Sequence, residues 1–289
     1  MIAQEQSIVR EHTLAINVRF LAIGLMTGFT SSLFAAGGAP VIVYGLLWLC
    51  SYNMKETTGP ALATLAAGAL VGFGLRLHLN SLDLQIRMAM MMLPFGITGV
   101  MAGHFIAKHW SSKALQEFFS CFVIFIGLKM MGVSFFPTLS VPQGTTDILL
   151  YGTAFLAGLG SRILGTGGGL ITVPVLMYAG LVPHQALITS LALNIPMMLL
   201  GAGLNFGGKS PKWKELCYLV PGAMLGASVG AYVSYMYVPD VLLRTLFGGL
   251  LIGSTAMMLL PRLWVCMHAF MHSYMIYMRR WLDRLGPIL

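Results

Sequence analysis

Charge is scarce in this chain: Asp, Glu, Lys and Arg make up 9% of 289 residues, against 57% hydrophobic residues. So few charges cannot coat a soluble domain of that size, which excludes an ordinary water-soluble globule. Carboxylates are scarcest. All nine (Glu5, Glu11, Glu56, Asp83, Glu117, Asp147, Glu215, Asp240 and Asp283) fall in tails, loops or helix ends. Proton and sodium carriers place Asp or Glu near the bilayer midplane, so carboxylate-based coupling is disfavoured. A uniporter, or a proton that moves with the substrate itself, is easier to accommodate. Cys50, Cys121, Cys217 and Cys266 lie far apart without C-x-x-C spacing and read as reduced packing residues.

What is present is apolar sequence in blocks of roughly 14 to 25 residues, the size of helical spans and half-spans; barrel strands would be nearer ten and alternating. The chain is therefore expected to be an all-α polytopic membrane protein. Its net charge of +8 would suggest nucleic acid in a soluble protein, but here it is read as topological, with no nucleic-acid partner. The first apolar block starts near Leu14, after Glu5, Arg10 and Glu11, and outruns a signal-peptide core, so no cleavable leader is expected.

One internal similarity organises the chain. Gly28-Phe-Thr-Ser-Ser-Leu-Phe-Ala-Ala-Gly37-Gly38 aligns without gaps to Gly158-Leu-Gly-Ser-Arg-Ile-Leu-Gly-Thr-Gly167-Gly168, an offset of 130. Further on, Pro94-Phe-Gly-Ile-Thr-Gly99-Val-Met-Ala-Gly103 answers Pro221-Gly-Ala-Met-Leu-Gly226-Ala-Ser-Val-Gly230. Two pseudo-symmetric repeats follow, each a glycine-broken helix pair plus three further helices. In the first the helices are expected at 14–36, 39–52, 56–75, 86–109 and 113–135, and in the second at 148–165, 169–182, 185–206, 215–238 and 241–260. The divisions are an amino terminus 1–13, repeat one 14–135, a linker 136–147, repeat two 148–260 and a membrane-associated tail 261–289. The short second helix, about fourteen residues, reaches only ~21 Å against a ~30 Å hydrocarbon core.

Five crossings per repeat would invert the copies and four would leave them parallel. Loop charge ties between the two, supporting only a cytoplasmic amino terminus and tail in the inner membrane. Inversion is the expectation, by analogy with alternating-access carriers built on paired broken helices, with the two glycine turns facing one another at a central electropositive site and the halves rocking to alternate access. The P-x-x-x-x-G-x-x-x-G pattern is read as tight helix packing.

The second glycine turn carries the candidate site. Irregular backbone at membrane depth must face protein or a water-filled cavity, and a helix starting beyond Gly167, Gly168 and Gly169 aims its first N–H groups at an anion. Arg162 adds a buried cation. In the first copy Gly37 and Gly38 take the equivalent place. Ser31, Ser32, Ser161 and Thr166 flank the turns as hydroxyl donors, and Asn194, Thr189 and Ser190 lie on the third helix of copy two. Asn205, near the Gly207-Gly208 loop, ranks below Asn194. Arg76 is read as an interface marker and Lys129 as snorkelling. No catalytic residue, cofactor or metal is assigned: His268 and His272 lack a third ligand, and the 21 Met residues, Met90-Met91-Met92 among them, read as packing or lipid-facing rather than a copper path. The rival readings are a passive anion channel, a copper transporter, and an intramembrane hydrolase with Ser161 as nucleophile and His104 or His184 as base.

Gly158 through Pro174, followed by Ala186-Leu-Ile-Thr-Ser190, resembles the G-x-GGG segment and A-x-x-T-S element of the TauE/SafE sulfite exporter family, also called TSUP, over about residues 20 to 260. Copy one departs with Ala35-Ala-Gly-Gly-Ala39, and Arg162 stands where members of that family commonly have a small residue. The resemblance implies export, or else uptake, of small sulfur-containing anions such as sulfite, sulfoacetate or other organosulfonates, with export the expected direction.

Overall fold

The computed structural model describes residues 2–35, 38–46, 50, 52, 54–79, 84–109, 143–206, 213–240 and eight positions between 242 and 253. Among these residues there are helices and no strands: α1 (Ile2–Phe34), α2 (Gly38–Tyr44), α3 (Met54–Leu79), α4 (Ile86–His109), α5 (Gln143–Leu164), α6 (Gly169–Tyr178), α7 (Pro183–Phe206) and α8 (Trp213–Tyr237). The helix expected at 113–135 and the tail lie outside the described residues. So do Gly37, Lys129, His268 and His272.

Most bounds fall within a few residues of expectation, and the exceptions have local causes. Helix α1 starts at Ile2 rather than near residue 14, because Gln4, Glu5, Gln6, Arg10 and Glu11 are good helix formers that continue the helix beyond the apolar block. Helix α6 stops at Tyr178 instead of 182. The amide of Gly180 donates to Met177 C=O and that of Leu181 to Leu176 C=O, with Gly180 at φ 97°, the reverse-bonded helix end that only glycine takes readily. Its ten residues span ~15 Å, half the ~30 Å of a hydrocarbon core, so α6 is a half-helix.

Four described helices are long and apolar enough to cross a membrane: Glu56–Leu79, Ile86–Ala107, Pro183–Asn205 and Glu215–Tyr237. Burial is arranged for lipid. Met90, Met91, Phe95, Met101 and Phe105 on α4 and Leu225, Val229, Tyr232 and Met236 on α8 face outward, while Thr27, Ser31, Ser32, Arg76, Ser161, Arg162, Thr172 and Asn194 are buried. Hydrocarbon offers no hydrogen bonds, so polar side chains turn inward. The Met run follows the same rule: Met90 and Met91 point out and Met92 is core.

Glycines set the closest crossings. Gly24 and Gly28 of α1 lie against the Leu219 and Ala223 backbone of α8, and Gly222, Gly226 and Gly230 lie against Leu21, Leu25 and Phe29. Gly99 and Gly103 of α4 meet Phe155 and Leu159 of α5, and Gly158 meets Gly96. The P-x-x-x-x-G-x-x-x-G glycines therefore join α8 to α1 and α4 to α5. Both sequence numbers rise together at each crossing, so α1 runs parallel to α8 and α4 to α5.

The same test orients the rest. Helix α3 follows α8, from Gly68 beside Ala223 to Arg76 beside Ser234, and α7 follows α4, from Met197 beside Gly96 to Gly201 beside Val100. Helices α3 and α7 run against each other, with Gly59 at Asn205 and Leu62 at Gly201. Thus α1, α3 and α8 point one way and α4, α5 and α7 the other. Hence α1 runs opposite to α5, α3 to α7 and α4 to α8.

Candidate functional site

Helix α5 ends at Leu164, and Gly165, Gly167 and Gly168 follow at φ 70°, 73° and 76°. This left-handed backbone costs an L side chain about 1–2 kcal/mol, which is why the turn is glycine. Gly168 caps α6 without a side-chain hydrogen bond, and the first amides that bond back to it are those of Ile171 and Thr172. Among the described residues the earlier N–H groups of α6 make no backbone hydrogen bond outside the helix, and the helix dipole makes that end electropositive.

A buried polar cluster faces this turn. Asn194 Nδ2 donates to Thr172 Oγ1 at 3.0 Å and to Ser190 Oγ at 2.8 Å, and those two hydroxyls are 2.6 Å apart. With both donors used, Asn194 Oδ1 has no protein partner among the described residues, and it lies 2.9 Å from where a Cβ on Gly168 would sit. The Ser161 and Thr166 hydroxyls, also buried, are likewise without a partner there. Met198 packs on Gly167 and Met197 on Gly168, so flexible thioether side chains enclose the turn. Gly168→Ala, which adds a methyl at positive φ and crowds Asn194, is expected to cost about 1–2 kcal/mol and to lower both the melting temperature in detergent and the flux in liposomes.

Thr172 escaped sequence reasoning, although its place four residues after Gly168 puts it on the inner face of α6's first turn. Thr189 lies apart from the cluster: its Oγ1 accepts the amide of Gln85, just before α4, at 3.1 Å.

Arg162 occupies a second layer. Its chain passes between Gly103 of α4 and Gly201 of α7, where the missing side chains leave a slot, and Nη2 reaches His104 Nδ1 at 3.0 Å. Gly201 is seven residues past Asn194 on α7, ~10 Å along the axis. Ser161 Oγ bonds to neither candidate base: His104 meets Arg162, and His184 pairs with Asp240 at 3.7 Å, so no serine–histidine dyad is assembled.

The first turn is built differently. Ala35, aligned with Gly165, takes the left-handed conformation at φ 55°, and Gly38 opens a helix of only seven residues, packed against Ser31 and Leu65. Ser32 Oγ is buried without a described partner. Both turns reach α3, the second at Thr58 and Ala61 and the first at Leu65, about 6 Å further along the helix.

Arg76 is not an interface marker. It is buried, with Nη2 donating to Ser32 C=O and to Ser234 Oγ, each at 2.8 Å, while Ser234 donates to Leu33 C=O at 3.0 Å. Two polar side chains thus satisfy the last carbonyls of α1. The legible signal was a cation flanked by Leu75 and Leu77 in an apolar helix.

The family matched by this chain, over residues 2–130 and 150–286, is Sulfite exporter TauE/SafE. The chain is 24% identical over 243 residues to a probable membrane transporter protein, YunE, of Bacillus subtilis (strain 168), covering 75% of this chain and 88% of that one. It is 29% identical over 233 residues to a probable membrane transporter protein of Haemophilus influenzae (strain ATCC 51907 / DSM 11121 / KW20 / Rd), covering 77% and 81%. No solved structure matches it.

Proposed function

The chain belongs to the TauE/SafE family of membrane transporters, and from that premise we propose that it carries small sulfur-containing anions such as sulfite, sulfoacetate or other organosulfonates by alternating access. The observation that carries this reading is Arg162, a guanidinium enclosed in a membrane protein whose partner among the described residues is an imidazole and not a carboxylate. A cation in that setting favours an anion to neutralise it. A sulfonate or sulfite group presents three oxygens, which a guanidinium fork and converging N–H and O–H donors match.

In this scheme the electropositive start of α6, at Gly168 and Gly169, and the hydroxyls of Ser161 and Thr166 form one station for the anion, with Asn194 shaping it. Arg162 forms the next station, and Gly38, Ser31 and Ser32 line the opposite approach. Interlocked crossings argue against whole halves rocking. The bodies that shift are α1–α3–α8 and α4–α5–α7, sliding along the antiparallel α3/α7 seam, with inverted repeats supplying two end states related by a pseudo-two-fold axis in the membrane plane. The chain sits in the inner membrane with both termini cytoplasmic.

Purified protein in liposomes tests the reading. Uptake of labelled methanesulfonate or sulfite is expected to saturate with concentration and to accelerate when unlabelled anion is trapped inside. Uptake that is linear in concentration and without counterflow marks a channel instead, and no anion flux overturns the proposal.

A further inference from the structure

The orientation of the Asn194 amide follows from its hydrogens. Nδ2 lies 3.0 Å from Thr172 Oγ1 and 2.8 Å from Ser190 Oγ, and those hydroxyls are 2.6 Å apart, so the three atoms form a triangle of hydrogen-bond contacts. Three sides need three hydrogens, and two hydroxyls supply only two. An amide oxygen in the triangle would leave one side with lone pairs facing each other, whereas an amide nitrogen adds two hydrogens and fills every side. The hydrogen left over has its acceptor in Gly168 C=O, 3.4 Å from Thr172 Oγ1.

Every donor of the cluster is thereby engaged, and what it presents to the glycine turn is an acceptor. Asn194 is fully buried, and its Oδ1 has no hydrogen-bond partner among the described residues. It faces the N-cap of α6: Oδ1 lies 2.9 Å, and Ala157 C=O 3.2 Å, from the point where a Cβ on Gly168 would project. Gly169, the next residue, opens α6 and its electropositive end. Acceptors and donors thus stand side by side, one residue or about 3.8 Å of backbone apart.

An oxyanion without hydrogens answers only half of this arrangement. Its oxygens accept from N–H groups, but against Asn194 Oδ1 they set lone pair against lone pair, and the buried carbonyl stays unsatisfied. Resting on the anion-carrier reading above, we propose that Asn194 Oδ1 is a specificity determinant favouring sulfur oxyanions that carry their own N–H or O–H on the sulfur. The acid oxygens take the start of α6, and the hydrogen goes to Oδ1. Sulfamate and the O–H form of hydrogensulfite meet this requirement; methanesulfonate and fully deprotonated sulfite do not. The short step from donors to acceptor places that hydrogen on the head group itself, not at the end of a longer chain.

Sulfamate and methanesulfonate supply the test, since both are monoanions at neutral pH, of nearly the same size, and differ in an amino against a methyl group. Calorimetry on the full chain purified in detergent is expected to give a dissociation constant about tenfold lower, or more, for sulfamate, the factor set by leaving a buried acceptor unsatisfied. Equal constants overturn the proposal. In Asn194→Ala the acceptor is gone, and the ratio of the two constants is expected to fall to near one, whatever the absolute affinities. A preference that survives in this variant overturns the assignment to Asn194.

If Asn194→Ala does not fold, Ser190→Ala takes its place. With one corner of the triangle removed, either face of the amide satisfies Thr172, so Oδ1 is held toward Gly168 about half the time and the preference is expected to drop about twofold. An unchanged ratio overturns the proposal. Failure of the unsubstituted protein to bind either anion overturns the carrier reading, and this inference with it, whereas equal binding of both overturns this inference alone.

Discussion

Arg162→Ala is expected to cut methanesulfonate flux in liposomes by about 30-fold or more, with the protein still folded and monodisperse. Removing one partner of a buried, hydrogen-bonded charge pair costs at least about 2 kcal/mol, which corresponds to that factor. The slot left by Gly103 and Gly201 tolerates a smaller residue. Arg162→Lys should recover part of the flux, because the charge returns without the planar fork. Unchanged flux in the Ala variant would remove Arg162 from the pathway and with it the second station.

The second large effect concerns the crossings. Gly226→Val is expected to lower the melting temperature in detergent by about 5–10 °C, because overpacking costs up to about 3 kcal/mol and each kcal/mol moves the midpoint by about 2–4 °C at this size. A Cβ at Gly226 would meet Leu25 C=O, with the Phe29 amide nitrogen at 2.8 Å. These are backbone atoms that cannot rotate away, so α1 and α8 must separate. Gly152→Ala serves as the control, since nothing lies within 4 Å of its Cβ position. A Gly226→Val protein that melts with the unsubstituted one would show that the α1–α8 crossing is looser than its geometry implies.

Much of this was legible in order of residues. Blocks of apolar sequence separated by charges announced helices in lipid, because a backbone in hydrocarbon must satisfy its own hydrogen bonds. The bend at Gly165–Gly168 was legible because left-handed backbone selects glycine, and its position after Leu164 matched. Asn194 and Ser190 were legible as costly polar groups in an apolar helix. The end of α6 was not, since the signal at Gly180 acts through two carbonyls of the preceding turn and competes with an apolar run that continues through Val182. Arg76 was misplaced because a cation near a helix end reads the same whether it snorkels or caps α1 from the side.

The sequence by itself determined that this chain lives in a membrane, where its helices and its glycine bend fall, and which family it resembles. Those properties depend on composition and on neighbours a few residues away. Only the tertiary structure decided which way each helix runs, that the glycine faces join one half to the other, and that Arg162 meets His104, 58 positions earlier in the chain. Loop charge counted equally for both topologies, and no local pattern records a partner on another helix. That partnership exists only once Gly103 and Gly201 let the backbones close around the guanidinium.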